Sequence, residues 1–177
     1  MVLPGNGRRQ GLTSAKDVIG TRGEALFEVL MTVFDTTTGP RFRVRHLGEK
    51  WPDVDFLVEL VDAGTEKPFF LVQVKATNRG YTIRDKRLKV AVEANKVRGL
   101  AAYPAPTYIV GIDVDPKAER GYIVSANGEH LTRVSSLSTR MPINATNRQL
   151  LWDEVRGFWS GFSKAGLASR FIDADWR

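Results

Sequence analysis

The stretch FFLVQVKAT, residues 69–77, decides the fold because it has the composition of a buried strand and yet carries two polar side chains. Apolar residues occupy both of its faces, so neither face can be turned to water as a whole. Gln73 and Lys75 stand two positions apart and therefore share one face. An unpaired buried lysine is costly. The stretch therefore predicts a carboxylate close to Lys75.

A second strand candidate, VDFLVELV, precedes this stretch, and the connector DAGTEKP between them is short and rich in turn-forming residues. The two strands are therefore predicted to form an antiparallel hairpin. A turn centred near Thr65 sets Asp55 opposite Lys75 and Leu57 opposite Gln73. An acid, an amide and an ammonium then converge on one face of the hairpin.

Hydrophobic periodicity extends this hairpin to a mixed α/β domain. The predicted elements, in chain order, are a helix from 17 or 21 to 34 with Thr21 as its N-cap, strands at 41–47, 54–61 and 69–76, a helix at 88–103, strands at 107–114 and 121–126, and a helix at 148–162. A helix between the third and fourth strands predicts that this pair is parallel. We expect a mixed central β-sheet flanked by helices in one domain, 17–163, after a flexible basic arm, 1–16, and before a C-terminal tail, 164–177.

The net charge of +6 is concentrated directly after the third strand. Between Arg79 and Arg98, seven lysines and arginines stand against two acids. A solvated helix face is the ordinary explanation of such a run, and a polyanionic partner such as nucleic acid is the functional one. The candidate nucleic-acid-binding residues are Arg79, Arg84, Lys86, Arg87, Lys89 and Lys96.

Several classes of site are excluded or disfavoured by the residues present. The chain has no cysteine, which excludes disulfides and thiolate metal sites and fits a reducing compartment. No signal-peptide pattern and no apolar run of roughly 18 residues is present, so we expect a cytoplasmic protein with no membrane partner. His46 and His130 have no partner at ligand or triad spacing, so we interpret both as ordinary surface or packed residues.

The convergent polar residues suit phosphodiester hydrolysis. That reaction uses a divalent cation, and hard cations such as Mg²⁺ or Mn²⁺ take oxygen ligands. Asp55 offers a carboxylate, Gln73 an amide oxygen and Val74 a backbone carbonyl. The Lys75 ammonium can orient the attacking water or stabilise charge that develops on the phosphate.

The segment PDVDFLVEL followed by QVK resembles the PD-(D/E)XK, or restriction-endonuclease-like, nuclease superfamily. That superfamily has an αβββαβ core, an acid on the second strand and Glu/Asp-x-Lys on the third. Here Gln73 replaces the third-strand acid, which is similar to the Mrr-like branch and to an uncharacterised bacterial family with G-x-x-x-E in its first helix. Over about residues 20–126, the resemblance implies that Asp55 binds the metal, that Gln73 and Lys75 form Q-x-K, and that Glu24 helps to hold the metal or its waters.

Alternatives stay open for individual residues. Glu24 stands three positions after Thr21, the spacing of a capping box, and Glu28 is a fallback for its role. Asp53 shares a strand face with Asp55, so either can be the ligand. A glutamine in place of an acid also removes one negative charge from the site and weakens the expected Mg²⁺ binding.

Alternatives also stay open for the function. The resemblance favours a metal-dependent endonuclease acting on DNA more than RNA, in defence or nucleic-acid processing. An inactive nucleic-acid-binding module on the same fold is the first alternative, and a protein-interaction or toxin-like domain is the second. The aromatic last helix is predicted to serve as core or as the face of a homodimer.

Overall fold

The structure is a computed structural model that describes residues 14–34, 36–37, 39–48, 51–64, 67–117, 119–126 and 134–161. Its elements are α1 (Ala15–Met31), β1 (Phe42–His46), β2 (Phe56–Leu60), β3 (Phe69–Thr77), α2 (Ala94–Ala101), β4 (Thr107–Asp113), β5 (Arg120–Ser125) and α3 (Ala145–Ser160). The predicted αβββαβ order is confirmed. Most of the predicted arm and all of the predicted tail lie outside the described residues, while residues 15 and 16 belong to α1.

The five strands form one mixed sheet in the order β1-β2-β3-β4-β5. Only the β3–β4 pair is parallel, as the crossover through α2 predicts. The register of the β2–β3 hairpin differs from the prediction by two residues, because Leu57 pairs with Leu71 rather than with Gln73. Continuing this register sets Asp55 level with Gln73 instead of Lys75. A shift of two keeps every side chain on its predicted face.

Helices cover the sheet unequally on its two faces. On one face α1 and α3 bury a core that includes Phe27, Phe56, Val72 and Val155. On the other face α2 and the extended segment 88–92 bury the second core. The predicted core role of α3 is thus confirmed. None of the helices in the described part of the chain combines the length and the apolar composition of a membrane span.

The first helix begins earlier than predicted. Ser14 is its N-cap and forms a capping box with Asp17: each side chain bonds the backbone N–H of the other. The prediction of Thr21 as N-cap is therefore wrong, since Thr21 lies inside the helix. Thr21 and Glu24 have the same spacing as Ser14 and Asp17, but the helix is already formed when the chain reaches Thr21, and the capping box at Ser14 satisfies its first N–H groups.

Residues 88–92 are extended, so the predicted helix at 88–103 is shortened to α2. Leu88 bridges to Leu137, and Val92 bridges to Val134. Their helical spacing relative to Val97 placed them in a helix by local pattern alone. A pairing with a segment more than forty residues away overrides that pattern.

One edge of the sheet is formed by β1. Arg43 and Arg45 alternate along it as exposed side chains, and both reach Glu59 on β2. This edge strand therefore carries positive charge along its length.

Candidate functional site

A cleft of about 480 Å³ opens between the N-terminal half of α1 and the point where β2 meets β3. Five of the predicted site residues line it: Glu24, Asp55, Val74, Lys75 and Arg79. Lys16 on α1 lines it as well, so two carboxylates and three cations share one solvent-connected space.

Asp55 is held in this cleft by a bond across the hairpin. Its Oδ2 accepts a hydrogen bond of 2.7 Å from the backbone N–H of Val74. The bond occupies one carboxylate oxygen, and the same carboxylate faces the cleft. A second-strand acid with a fixed orientation is what a metal ligand requires.

Asp53, the other candidate ligand, faces elsewhere. Its backbone has a φ of 61°, in the left-handed region, and its carboxylate packs so closely on α2 that a Cβ on Gly99 would collide with it. Asp53 does not line the cleft that holds Asp55. Between the two aspartates left open by the sequence, the geometry selects Asp55.

Glu24 reaches the cleft because α1 lies unusually close to β3. A Cβ on Gly23 would collide with the Cβ of Ala76, so only glycine permits this approach. Glu24 is in the middle of α1, and the capping box that does exist is at Ser14, which removes the structural explanation of this glutamate as a cap.

His46 is a neighbour of the site that the sequence did not reveal. Its Nε2 lies 3.3 Å from Oε2 of Glu24, and its ring packs edge-on against Phe56. The packing on Phe56 agrees with the interpretation of His46 as an ordinary packed residue, whereas its contact with Glu24 was not predicted. The signal was the hairpin register, because the last residue of β1 pairs with Phe56, next to Asp55. His130 lies outside the described residues.

Lys75 is half-buried beside these carboxylates. Burial lowers its pKa from the ordinary value of 10.5, the charge of Asp55 opposes this shift, and the nearby charge of Lys96 on α2 adds to it. Among the described residues Lys75 makes no direct ion pair with Asp55 or Glu24. The predicted carboxylates therefore lie in the same cleft as the Lys75 ammonium but are not in direct contact with it.

Gln73 has the least solvent contact of the candidate residues, with 2% of its surface exposed. Its Oε1 has no hydrogen-bond partner within the described part of the chain. A buried acceptor without a partner is costly and calls for an explanation. Gln73 does not line the cleft itself; it lies on β3, two residues before Lys75 and level with Asp55 when the hairpin register is continued.

The donors around the cleft suit a hard divalent cation. Asp55 and Glu24 line the cleft with carboxylates and Val74 lines it with its backbone, while the unpartnered amide oxygen of Gln73 is buried on the same strand as Val74. Oxygen-only donors of this kind fit Mg²⁺ or Mn²⁺. Within the described ranges, no three His, Asp or Glu side chains group around one point, so the site has fewer charges than an all-acid one.

The basic residues after β3 divide into two groups. Arg79, Arg84, Lys86 and Lys89 are exposed, as a phosphate-binding role requires. Arg87 instead donates from Nε and Nη2 to the hydroxyl and carbonyl oxygens of Ser136, at 2.9 and 2.7 Å, and is only partly exposed. The Arg87 guanidinium therefore has a structural role, since its hydrogen bonds hold Ser136.

Comparison with known proteins yields no match, since no protein-family model, no curated protein and no solved structure is found to be similar to this chain. The resemblance to the PD-(D/E)XK superfamily therefore remains a prediction from the sequence motifs. What the chain does has to be inferred from the cleft and its charges.

Proposed function

We propose that this protein is a metal-dependent endonuclease that hydrolyses phosphodiester bonds, with DNA rather than RNA as substrate. One observation carries the proposal. Glu24, Asp55 and Lys75, which come from three separate elements and were selected from the sequence, line the same cleft. Two acids and one lysine in a shared cleft suit the hydrolysis of an anionic ester.

Each residue has a chemical role in this proposal. Asp55, with Glu24, Gln73 and the Val74 carbonyl, would hold Mg²⁺ or Mn²⁺. Such a cation, when bound, lowers the pKa of water and neutralises phosphate charge. The Val74 N–H keeps the Asp55 carboxylate oriented. The Lys75 ammonium, held in a half-buried position, stabilises negative charge that develops on the scissile phosphate.

The position of Lys75 is also favourable for exchanging protons. Burial disfavours its charged form, so the ammonium gives up a proton more readily than an exposed lysine does. Glu24 and Asp55 face the same space and attract a cation to it, while Arg79 at the rim attracts the phosphate backbone. A cytoplasmic location accompanies this function as a prediction from the sequence.

An inactive nucleic-acid-binding module is the second candidate. It is favoured by one observation: although His46 contacts Glu24, no three His, Asp or Glu side chains among the described residues are arranged so that they could hold a metal ion. Such a protein would keep the exposed basic residues after β3 and bind DNA without cutting it. Cleavage therefore separates the two candidates.

The deciding experiment incubates the purified protein with plasmid, linear duplex and single-stranded DNA in Mg²⁺, Mn²⁺ or EDTA. We expect cleavage in Mg²⁺ or Mn²⁺ and none in EDTA. Lys75→Ala should reduce single-turnover cleavage by about 100-fold or more while leaving DNA affinity within about threefold, since one charge among many contributes little to binding.

Lys67→Ala is the matched control, because Lys67 is an exposed lysine at the opposite end of β3. It should cleave as the parent does. Equal cleavage by the Lys75→Ala variant would overturn the assigned mechanism, and DNA binding without cleavage under every metal condition would favour the inactive module.

A further inference from the structure

The chain that leaves β3 forms a short projecting hairpin, here called the 80–89 hairpin. Tyr81 and Leu88 pair as an antiparallel bridge, the Thr82 N–H donates to the Arg87 carbonyl at 2.8 Å, and the Lys89 N–H donates to the Gly80 carbonyl at 3.0 Å. The four residues 83–86 close the turn. The sequence had assigned part of this segment to a helix.

The base of the 80–89 hairpin is firmly attached to the rest of the domain. Leu88 is fully buried and exchanges two backbone hydrogen bonds with Leu137. The hydroxyl of Tyr81 lies 3.1 Å from that of Tyr122 on β5, and the Thr139 hydroxyl donates to the Lys86 carbonyl. The turn is therefore presented on a fixed support.

Ile83, at the turn, is 90% exposed, more than any other large apolar residue described. An isoleucine side chain that is exposed to water contributes no buried apolar surface to the stability of the fold. The residues that follow it in the turn are charged: Arg84 and Lys86 are cations, and only Asp85 between them is acidic. The turn thus combines one protruding apolar side chain with a strongly positive surround.

The 80–89 hairpin also starts at the candidate site. Arg79 lines the cleft, and Ile83 is four residues further along, at most about 13 Å of extended chain. Successive base pairs are spaced by about 3.4 Å, so this reach corresponds to about four base pairs. If a phosphate of a DNA duplex occupies the cleft, the tip of the 80–89 hairpin therefore lies beside base pairs less than half a turn of the double helix away.

We infer that the 80–89 hairpin inserts Ile83 as a wedge between stacked base pairs of duplex DNA, while Arg84, Lys86 and Lys89 bind the flanking phosphates. Isoleucine is among the apolar side chains that proteins insert at base steps, where they unstack and kink the duplex. The inference rests on the proposed DNA substrate, and it adds a preference for duplex over single-stranded DNA.

Other occupants fit this surface less well. Membrane binding scales with the apolar area that enters the lipid, and a single isoleucine side chain offers little. Protein interfaces are depleted of lysine at their centre, whereas cations surround Ile83 closely. Duplex DNA matches both features of this surface. Its phosphates complement the cations, and the step between two stacked base pairs can accept the single apolar side chain of Ile83.

The test measures binding and base unstacking in EDTA, so that cleavage plays no part. Duplexes that carry 2-aminopurine at successive positions report unstacking as a rise in fluorescence. We expect the parent to produce this rise at one or two adjacent steps. Ile83→Ser should abolish the rise and weaken duplex binding about tenfold, but change single-strand binding less than about twofold.

Two variants control the test. Val29→Ser alters another exposed apolar side chain, 62% exposed on α1, and should leave binding and fluorescence unchanged. Ile83→Leu should retain the fluorescence rise, because leucine serves as a wedge as well. The salt dependence of Ile83→Ser should equal that of the parent, since every cation remains.

The inference would be overturned if the Ile83→Ser variant unstacked the bases and bound the duplex as well as the parent protein does. So would Ile83-dependent binding to phosphatidylserine vesicles together with DNA binding that does not depend on Ile83. If the protein fails to cleave DNA in Mg²⁺ but unstacks it through Ile83, the proposed nuclease function fails and the wedge stands. If the protein cleaves DNA but unstacks the bases equally well without Ile83, the nuclease function stands and the wedge fails.

Discussion

The backbone N–H of Val74 donates a hydrogen bond of 2.7 Å to Oδ2 of Asp55, which ties the candidate metal-binding carboxylate to the neighbouring strand. Asp55 is thereby oriented before any cation arrives. The bond runs between the start of β2 and the end of β3, the same point at which Glu24 approaches from α1. A mutation at residue 55 can remove the negative charge of the side chain and keep the hydrogen bond that the side chain accepts.

Asp55→Asn should abolish cleavage, by about 100-fold or more, without unfolding the protein. The asparagine side-chain oxygen can still accept the Val74 N–H, but the negative charge that attracts the cation is lost. Asp53→Asn is the matched control, since Asp53 packs on α2 and asparagine tolerates its positive φ. Single-turnover cleavage and circular dichroism measure the two effects. Equal loss in both variants would contradict the assignment of Asp55.

Lys75→Met should make the fold more stable at neutral pH, by about 1 kcal/mol or 2–4 °C in Tm, while abolishing cleavage. Burial lowers the pKa of Lys75, so the folded state penalises its charge relative to the unfolded chain. The penalty is fully present below the folded pKa and fades as pH rises through it towards 10.5. The stability gap between variant and parent should therefore shrink as the pH rises towards 10.5, as urea unfolding would show. A gap that widens with pH would contradict this account.

Gln73→Glu tests whether the unpartnered amide oxygen is a metal ligand. A buried carboxylate should lower the unfolding free energy by about 1–3 kcal/mol in EDTA, and Mg²⁺ should recover that loss. Gln73→Met removes the unpaired acceptor and should be at least as stable as the parent in EDTA, with no response to Mg²⁺ at this position. Thermal unfolding with and without metal distinguishes the cases. The same loss in Mg²⁺ and in EDTA would remove Gln73 from the site.

Gly23→Ala and Gly20→Ala should have opposite effects on stability. A Cβ at residue 23 collides with the Cβ of Ala76, so the helix must move away from β3 at a cost of about 1–3 kcal/mol. A Cβ at residue 20 meets nothing within 4 Å, and alanine favours the helix by up to about 1 kcal/mol. Urea unfolding of both variants is the measurement. Two variants of equal stability would show that α1 tolerates displacement.

Replacing Arg84, Lys86 and Lys89 together by alanine should weaken binding to unrelated duplexes alike. Loss of three phosphate contacts should reduce the slope of log affinity against log salt by about 2.7. Arg87→Ala should change this slope little and lower stability by about 1–2 kcal/mol, because it loses its bonds to Ser136. Fluorescence anisotropy at several salt concentrations measures the slope. An unchanged slope in the triple variant would reduce these residues to a solvated surface.

Local patterns predicted what depends on neighbouring residues. The apolar run at 69–77 located β3, and a register error of two leaves the predicted strand faces unchanged, because an even shift preserves faces. The exact register depends on where the turn closes, which composition does not determine.

Features that depend on distant partners were missed. The bridges of Leu88 and Val92 to the segment after residue 133, and the approach of His46 to Glu24, leave no mark in local periodicity. The same is true of Arg87, whose role is decided by Ser136. Charge clustering identified the basic region but could not separate the structural arginine from the exposed cations.

The charged edge strand β1 bears on how copies of this chain meet. If a second copy added its own β1 there in an antiparallel manner, Arg43 and Arg45 of the two chains would face each other across the new pair. Like charges opposite one another oppose strand pairing, and natural sheets use such residues to prevent edge-to-edge aggregation. Growth of the sheet from one molecule into the next is therefore disfavoured at β1, and a homodimer would have to form through another surface.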